Sequence, residues 1–195
     1  MSRKFFGTDG IRGEANSFLT AGLAIDIGRA AVAALPAGSP RVLIGYDTRI
    51  SSPMLEAALV AGISAAGGNV MRAGVIPTPA VASLTAGNKI DAGAVISASH
   101  NPYRDNGIKF FNAGGFKLSD EQEAEVELYL TGGRDLPPAP EDPGSVDDFE
   151  QPVEAYLNSL LGHFNLDLSG MRIMLDCANG ATYYSSPLAL RRLGA

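Results

Sequence analysis

The chain has 195 residues, of which 46% are hydrophobic and 18% are charged, and its formal net charge at pH 7 is -6. This length and composition suit one folded domain, or one domain and part of another, and exclude a mainly disordered chain. The negative charge argues against nucleic acid or an anionic membrane as a partner, because both attract a basic surface.

The chain also lacks the patterns of export, membrane insertion and disulfide bonding. Its first ten residues, MSRKFFGTDG, contain no apolar stretch of the kind that a signal peptide needs. The longest uncharged helical segment, residues 57–71, is shorter than the roughly 20 residues that span a bilayer. One cysteine, Cys177, allows no internal disulfide and lies in an apolar run. We therefore expect a cytoplasmic protein with no membrane partner.

Predicted strands and helices alternate along the first two thirds of the chain. In order, we predict a helix over 23–35, a strand over 41–47, a helix over 54–68 that Ser52 and Pro53 begin, a strand over 69–76, a short helix over 80–86, a strand over 92–98, a strand and hairpin over 106–118, and an acidic helix over 120–130 that Ser119 and Gln122 cap. The alternation predicts an α/β fold with a mixed, mostly parallel sheet and helices on both faces.

The composition changes near residue 131. Residues 131–152 are rich in proline, glycine and acidic side chains, which is typical of a linker or an exposed excursion. A second set of elements follows, with a helix over 153–164, a strand over 171–178 and a helix from residue 185. We predict a first domain over residues 1–150 and the beginning of a second α/β domain over residues 151–195.

Polar side chains follow the predicted strands, at the position where open α/β sheets bind ligands. Four groups stand out: Asp47, Thr48 and Arg49 after the first strand, Ser99, His100 and Asn101 after the third, Lys109 at the start of the next, and Arg12 in the N-terminal stretch GTDGIRG. The glycines of GTDGIRG permit either an ordinary series of turns or a close approach of backbone to a ligand. This stretch matches neither a dinucleotide fingerprint nor a P-loop.

Ser99 invites comparison with a hydrolase nucleophile. No GxSxG elbow surrounds it, and on an extended backbone the side chain of His100 would point away from Ser99. The other histidine, His163, lies on a predicted helix as a surface or half-buried residue. The pattern therefore does not favour an acyl-transfer triad.

A serine that carries phosphate is a second interpretation of Ser99. Phosphoserine has a charge of about -1.5 to -2 and needs cations around it. Arg12, Arg49 and Lys109 lie on loops or strand ends that could supply them. A simple polar turn over residues 99–102 remains the alternative on these residues alone.

Five segments resemble the α-D-phosphohexomutase family, whose catalytic serine lies in an (S/T)ASHNP motif. Four of them, FFGTDGIRG, YDTRISS, ISASHNP and DNGIKFF, occur in the family's order, and the fifth is LDCANGATY. Their wording is most similar to that of the bacterial members that act on glucosamine phosphates. The resemblance covers the whole chain but only the first part of such an enzyme, so it implies the family's domain I followed by the start of domain II.

The resemblance implies a role for each candidate residue. Ser99 would be the phosphoserine, and its phosphate oxygen would be a ligand of Mg²⁺. Lys109 would be a general acid/base, Arg12 would stabilise charge, and His100 would shape the loop and contact phosphate. The roles of Arg49 and Asn101 would be supporting ones.

The implied substrate is a phosphorylated amino sugar that passes through a sugar bisphosphate. The family's aspartate-rich metal loop, its sugar-reading loop and its C-terminal phosphate-binding loop have no counterpart in this sequence, so we expect the chain alone to be inactive as a mutase. Glucose or mannose phosphates are the alternative substrates, and a non-catalytic phosphosugar-binding module is the alternative function. The oligomeric state stays open, with a homodimer as one candidate.

Overall fold

The computed structural model describes residues 4–36 and 38–195, so the first three residues of the N-terminal stretch MSRKFFGTDG lie outside it. Six strands in the described chain form one sheet: β1 (Ile11–Glu14), β2 (Arg41–Tyr46), β3 (Asn69–Val75), β4 (Ala92–Ile96), β5 (Asp105–Asn112) and β6 (Val146–Asp148). The helices are α1 (Ala21–Ala34), α2 (Ser52–Ala65), α3 (Thr78–Gly87), α4 (Asp120–Leu130), α5 (Pro152–Leu161) and α6 (Ser185–Arg192).

The strand order in the sheet is β1-β5-β4-β2-β3-β6. Strands β4, β2, β3 and β6 run parallel to one another, whereas β5 is antiparallel to β4 and β1 is antiparallel to β5. The prediction of a mixed, mostly parallel sheet is confirmed. Parallel strands require crossover connections, and the helices between β2, β3 and β4 provide them.

The helices pack on both faces of the sheet, as predicted. One core lies between the sheet and helices α1, α2 and α4, and a second lies between the opposite face and helices α3 and α5. Successive side chains of β2 point to opposite faces of the sheet, so Ile44 packs in the first core and Leu43 in the second. Helices α1 and α2 approach closely at Gly62, where a Cβ atom would lie 2.2 Å from the carbonyl oxygen of Ile25.

Caps were predicted for the starts of two helices, α4 and α2, and the structure contains the first but not the second. The capping box of α4 is present, because Ser119 Oγ accepts from the Gln122 N–H and the Gln122 side chain accepts from the Ser119 N–H. The cap predicted for α2 is wrong. Ser52 is the first residue of that helix, and its buried hydroxyl donates to the Asp47 carboxylate 2.9 Å away.

Three segments differ from their predicted secondary structure. Residues 11–14, for which no strand was predicted, form β1 along β5, and residues 146–148, expected within a linker, form β6 along β3. Residues 171–177, expected as a strand, form none, and most of their side chains are exposed. Helix α5 ends at Leu161, so His163 lies beyond it and is exposed.

Helix α5 packs against α3 on the second face of the sheet, where Leu157 is fully buried. No helix of the described chain is long and apolar enough to cross a membrane.

Candidate active site

A cavity of about 900 Å³ opens beyond the carboxyl ends of β2, β3 and β4. Its walls come from the loops after these strands and from a segment near the C-terminal end of the chain: residues 47–50, 77–79, 97, 99–101, 103 and 177–182. Strands β2 and β4 deliver Asp47 and Ser97 to this edge because they are parallel neighbours in register. The cavity therefore lies where parallel sheets place their ligand sites.

Ser99 lies on the wall of this cavity in a left-handed backbone conformation, with φ 56°. A non-glycine residue in this region costs about 1–3 kcal/mol, so the surroundings must hold it there. The Ser99 N–H donates to Ser97 Oγ at 3.0 Å, and the Ser99 carbonyl accepts from Arg49 Nη2 at 2.9 Å. Ser99 itself is exposed at the cavity wall.

His100 lies beside Ser99, contrary to the expectation that it would point away. Its Nδ1 atom is 3.3 Å from Ser99 Oγ. The expectation assumed an extended backbone, and the positive φ of Ser99 removes that assumption. Both side chains are exposed, so an imidazole is within reach of any group attached to the serine oxygen.

Arg49 uses its whole guanidinium group on the protein itself. A guanidinium has five N–H donors. Nε donates to Asp47 Oδ2 at 3.0 Å, Nη1 donates to the carbonyls of Pro102 (2.7 Å) and Asp105 (2.9 Å), and Nη2 donates to those of Ser99 and Asn101 (both 2.9 Å). Arg49 thus cross-links the loop after β4 to the end of β2.

The Asn101 side chain closes the same loop. Its amide donates to Asp105 Oδ2 at 3.0 Å, and its backbone N–H donates to the carbonyl of Ala98 at 3.1 Å. Residues 98–105 therefore form a loop that is bonded both internally and to the sheet edge.

Arg12 and Lys109 meet around a carboxylate that sequence reasoning did not single out. Lys109 Nζ lies 2.6 Å from Asp9 Oδ1, and Arg12 Nη2 pairs with Asp9 Oδ2. The hydrogen bond from Lys109, helped by the charges of Lys109 and Arg12, lowers the pKa of Asp9 below its ordinary value. Arg12 Nε is buried with no hydrogen-bond partner among the described residues. This cluster therefore holds two cations, one carboxylate and, among the described residues, a buried N–H of Arg12 without a partner.

The pairing of β1 with β5 and of β5 with β4 places Arg12, Gly107 and Ser97 in one row across the sheet. Arg12 lies opposite Gly107 in the register, and the carbonyl of Gly107 accepts from the Ser97 N–H at 2.9 Å. No hydrogen bond or ion pair in the described chain joins the Ser99 side chain directly to Arg12 or Lys109. The structure thus joins Ser99 with His100, and Arg12 with Lys109, as neighbouring pairs.

The described residues contain no group of three or more His, Cys, Asp or Glu side chains that could hold a metal ion. The Asp47 carboxylate already accepts four hydrogen bonds, from Arg49 N and Nε, Ser52 Oγ and Ser97 Oγ. It has no oxygen lone pair left for a cation in that arrangement, so these residues do not by themselves fit a Mg²⁺ site.

Sequence reasoning missed the functions of Asp9 and Ser97. Ser97 is the last residue but one of an apolar run, and its sequence position carries no signal of the two hydrogen bonds that it makes. Asp9 lies three residues from Arg12, which is a spacing that could have suggested an ion pair.

The structure thus has an exposed serine on a loop beyond a mixed α/β sheet, and two cations, Arg12 and Lys109, on strands β1 and β5 of the same sheet. The family model for the α/β/α domain I of phosphoglucomutase and phosphomannomutase matches residues 3–135, and the chain belongs to this family.

Among curated relatives, the chain is 50% identical to the phosphoglucosamine mutase of Carboxydothermus hydrogenoformans, over 98% of this chain and 44% of that protein. It is 54% identical to the phosphoglucosamine mutase of Geobacillus thermodenitrificans, over 92% of this chain and 41% of that protein. The chain thus spans less than half the length of these relatives.

A solved structure shares the fold: a phosphoglucomutase/phosphomannomutase family protein from Burkholderia thailandensis superposes with a TM-score of 0.76 at 26% identity, covering 94% of this chain and 40% of that one.

Proposed function

We propose that this chain carries the phosphoserine domain of a phosphoglucosamine mutase, which interconverts glucosamine 6-phosphate and glucosamine 1-phosphate for UDP-N-acetylglucosamine and cell-wall precursors. The observation that carries the proposal is identity of about half over nearly the whole chain to proteins of that name. The exposed hydroxyl of Ser99 at the cavity supports it, because a phosphoryl carrier must reach a substrate.

In the first half-reaction, the bond between phosphorus and Ser99 Oγ breaks while a bond forms between phosphorus and the 1-hydroxyl oxygen of glucosamine 6-phosphate. The hydroxyl proton passes to the neutral amine form of Lys109, the proposed general acid/base, because the ammonium form that pairs with Asp9 has no lone pair to accept it. The product is glucosamine 1,6-bisphosphate. After this intermediate reorients in the site, Ser99 Oγ accepts the 6-phosphoryl group, Lys109 returns the proton to the 6-oxygen, and glucosamine 1-phosphate leaves.

The remaining roles follow from charge and position. Phosphoryl transfer depends mainly on positioning and on stabilising negative charge. Arg12 supplies positive charge beside Lys109, and its partner Asp9 keeps the two cations together when no phosphate is bound. His100, 3.3 Å from Ser99 Oγ, would contact a phosphoryl group on that oxygen.

Mg²⁺ is the proposed cofactor, with a phosphate oxygen on Ser99 as the ligand that this chain supplies. A hard divalent ion would neutralise part of the phosphoryl charge. Since the described residues form no carboxylate site, the chain alone is proposed to lack mutase turnover.

Other attributes of the protein are proposals on the same basis. We place the boundary between domain I and the start of domain II near residue 150. We also propose a cytoplasmic enzyme, with no nucleic-acid partner and a homodimer as the candidate assembly.

The test is a substrate panel on the mutase that contains this chain. Glucosamine 6-phosphate should be turned over faster than glucose or mannose 6-phosphate, and intact mass spectrometry should find one phosphoryl group that Ser99→Ala removes. Preference for glucose or mannose phosphate would assign one of those mutases instead. A Ser99 that no sugar bisphosphate phosphorylates would indicate a non-catalytic phosphosugar-binding module.

A further inference from the structure

The ion pair of Asp47 and Arg49 holds the loop that carries Ser99. Both residues line the cavity, but their charged groups are bonded within the protein. The Asp47 and Arg49 side chains are each 12% exposed, and they bond through Asp47 Oδ2 and Arg49 Nε at 3.0 Å. Asp47 and Arg49 lie beside the serine and are less exposed than the side chains of Arg12 and Lys109.

Both backbone groups of Ser99 depend on this pair. The carbonyl of Ser99 accepts from Arg49 Nη2. The N–H donates to Ser97 Oγ, and the Ser97 hydroxyl donates to Asp47 Oδ2 at 2.7 Å. Because an ionised carboxylate can only accept, the Ser97 proton must point to Asp47, which leaves a lone pair of Ser97 Oγ for the Ser99 N–H.

The second carboxylate oxygen of Asp47, Oδ1, is also held by hydrogen bonds. Ser52 Oγ donates to Asp47 Oδ1 and accepts from the Asn106 amide at 3.0 Å. Ser52 and Asn106 are fully buried, so the carboxylate is anchored to the start of α2 and to β5. The positive φ of Ser99 is thus imposed by a continuous network from the sheet, rather than by the serine itself.

We propose that Asp47 and Arg49 are positioning residues that hold Ser99 Oγ in line for phosphoryl transfer by fixing the backbone of residue 99, and that Arg49 acts through the loop carbonyls instead of binding substrate phosphate. This inference rests on the proposed function. The sequence position of Arg49 suggested a cation that contacts phosphate. The proposal differs from that expectation, because all five N–H groups of Arg49 are already bonded within the protein.

Arg49→Lys tests the contact while keeping the charge. An ammonium has three donors, so it cannot serve five acceptors in a planar fork. Ser97→Ala tests the same network without changing any charge. The matched control is Arg72→Lys, since Arg72 pairs with Asp148 at 2.8 Å in an exposed ion pair on β3, away from the loop.

Two measurements apply to each variant. In amide NMR spectra of the 195-residue chain, both Arg49→Lys and Ser97→Ala should shift the signals of residues 97–106 and leave those of α1 in place. In the mutase that contains this chain, both should lower kcat, by on the order of 100-fold for a displacement of about 1 Å, with KM unchanged. Arg72→Lys should do neither.

The opposite results would overturn the inference. A raised KM with unchanged kcat in Arg49→Lys would make Arg49 a phosphate-binding residue. Loop signals that stay in place in both variants would remove the positioning role. If Arg49→Lys does not fold, Ser97→Ala decides alone. If the unaltered protein turns over no sugar phosphate, the proposed function fails, and the NMR shifts still judge whether the network holds Ser99.

Discussion

Two apolar runs that look alike in the sequence differ in secondary structure and in burial. Residues 92–98, AGAVISA, form the buried centre of the sheet, and every residue of β4 is buried. Residues 171–178, MRIMLDCA, form no strand, and Met174 is fully exposed. The two runs differ in whether neighbouring strands pair with them. Strand β4 lies between β2 and β5, whereas no strand of the described chain pairs with residues 171–177. A strand is stable only where neighbours satisfy its backbone groups.

The largest effect should come from a carboxylate placed in each run. Ala94→Asp puts an unpaired charge at a fully buried position, which costs several kcal/mol against a total stability of about 5–15 kcal/mol. We expect this variant to lose its cooperative thermal unfolding, monitored by circular dichroism. Met174→Asp should leave the transition where it is. A folded Ala94→Asp variant would contradict the burial of β4.

Truncation of one isoleucine in each run should give a smaller contrast. Ile96 is fully buried, so Ile96→Ala should lower the free energy of unfolding by about 2–5 kcal/mol. Ile173 is 42% exposed, so Ile173→Ala should cost less than about 1 kcal/mol. Urea titrations of both variants measure these values. Equal losses would mean that residues 171–177 pack as tightly as β4.

The smallest contrast concerns two carboxylates with lowered pKa values. The hydrogen bond from Lys109 lowers the pKa of Asp9, and the hydrogen bonds to Ser169 lower that of Asp167, both from 3.8. A lowered folded-state pKa stabilises the fold above pH 3.8, and the stabilisation disappears as the pH falls through the folded-state value.

Only Asp9 joins an N-terminal turn to β5, since the partner of Asp167 is two residues away. Asp9→Asn should therefore reduce the free energy of unfolding at pH 7 and lose that difference in acid, while Asp167→Asn should change little at either pH. Urea titrations across this pH range provide the measurement. A larger loss for Asp167→Asn than for Asp9→Asn would contradict this expectation.

Much of the first 130 residues was predictable because its signals are local. Helical spacing located α1, a capping box located the start of α4, and apolar runs located β2, β3 and β4. Strands β1 and β6 escaped prediction because they are short and polar, and they form only where the edges of β5 and β3 accept them. The predicted strand at residues 171–178 is apolar in sequence but does not form, because no strand of the described chain pairs with it.

Candidates for the site could be read from the sequence, but their contacts could not. Strand ends and family motifs pointed to Ser99, His100, Arg12 and Lys109, and the roles of all four stay predictions. Ser99 and His100 line the cavity, whereas Arg12 and Lys109 are not among the described residues that line it. The positive φ of Ser99 turns His100 toward it, and the left-handed backbone at a serine has no sequence signal. Asp9 and Ser97 were missed because their importance lies in the groups that they join.

The alternation of strands and helices, the apolar faces, the place of Ser99 just after β4 and the family of the chain could all be predicted from the sequence. This was possible because periodicity, turn residues and motifs act over a few neighbouring positions. The strand order, the antiparallel edge of β5 and β1, and the partners of Arg49 became visible only in the folded structure. The guanidinium of Arg49 meets the carbonyl of Ser99 across a separation of 50 residues, and a contact of that kind exists only once the sheet has brought its strand ends together.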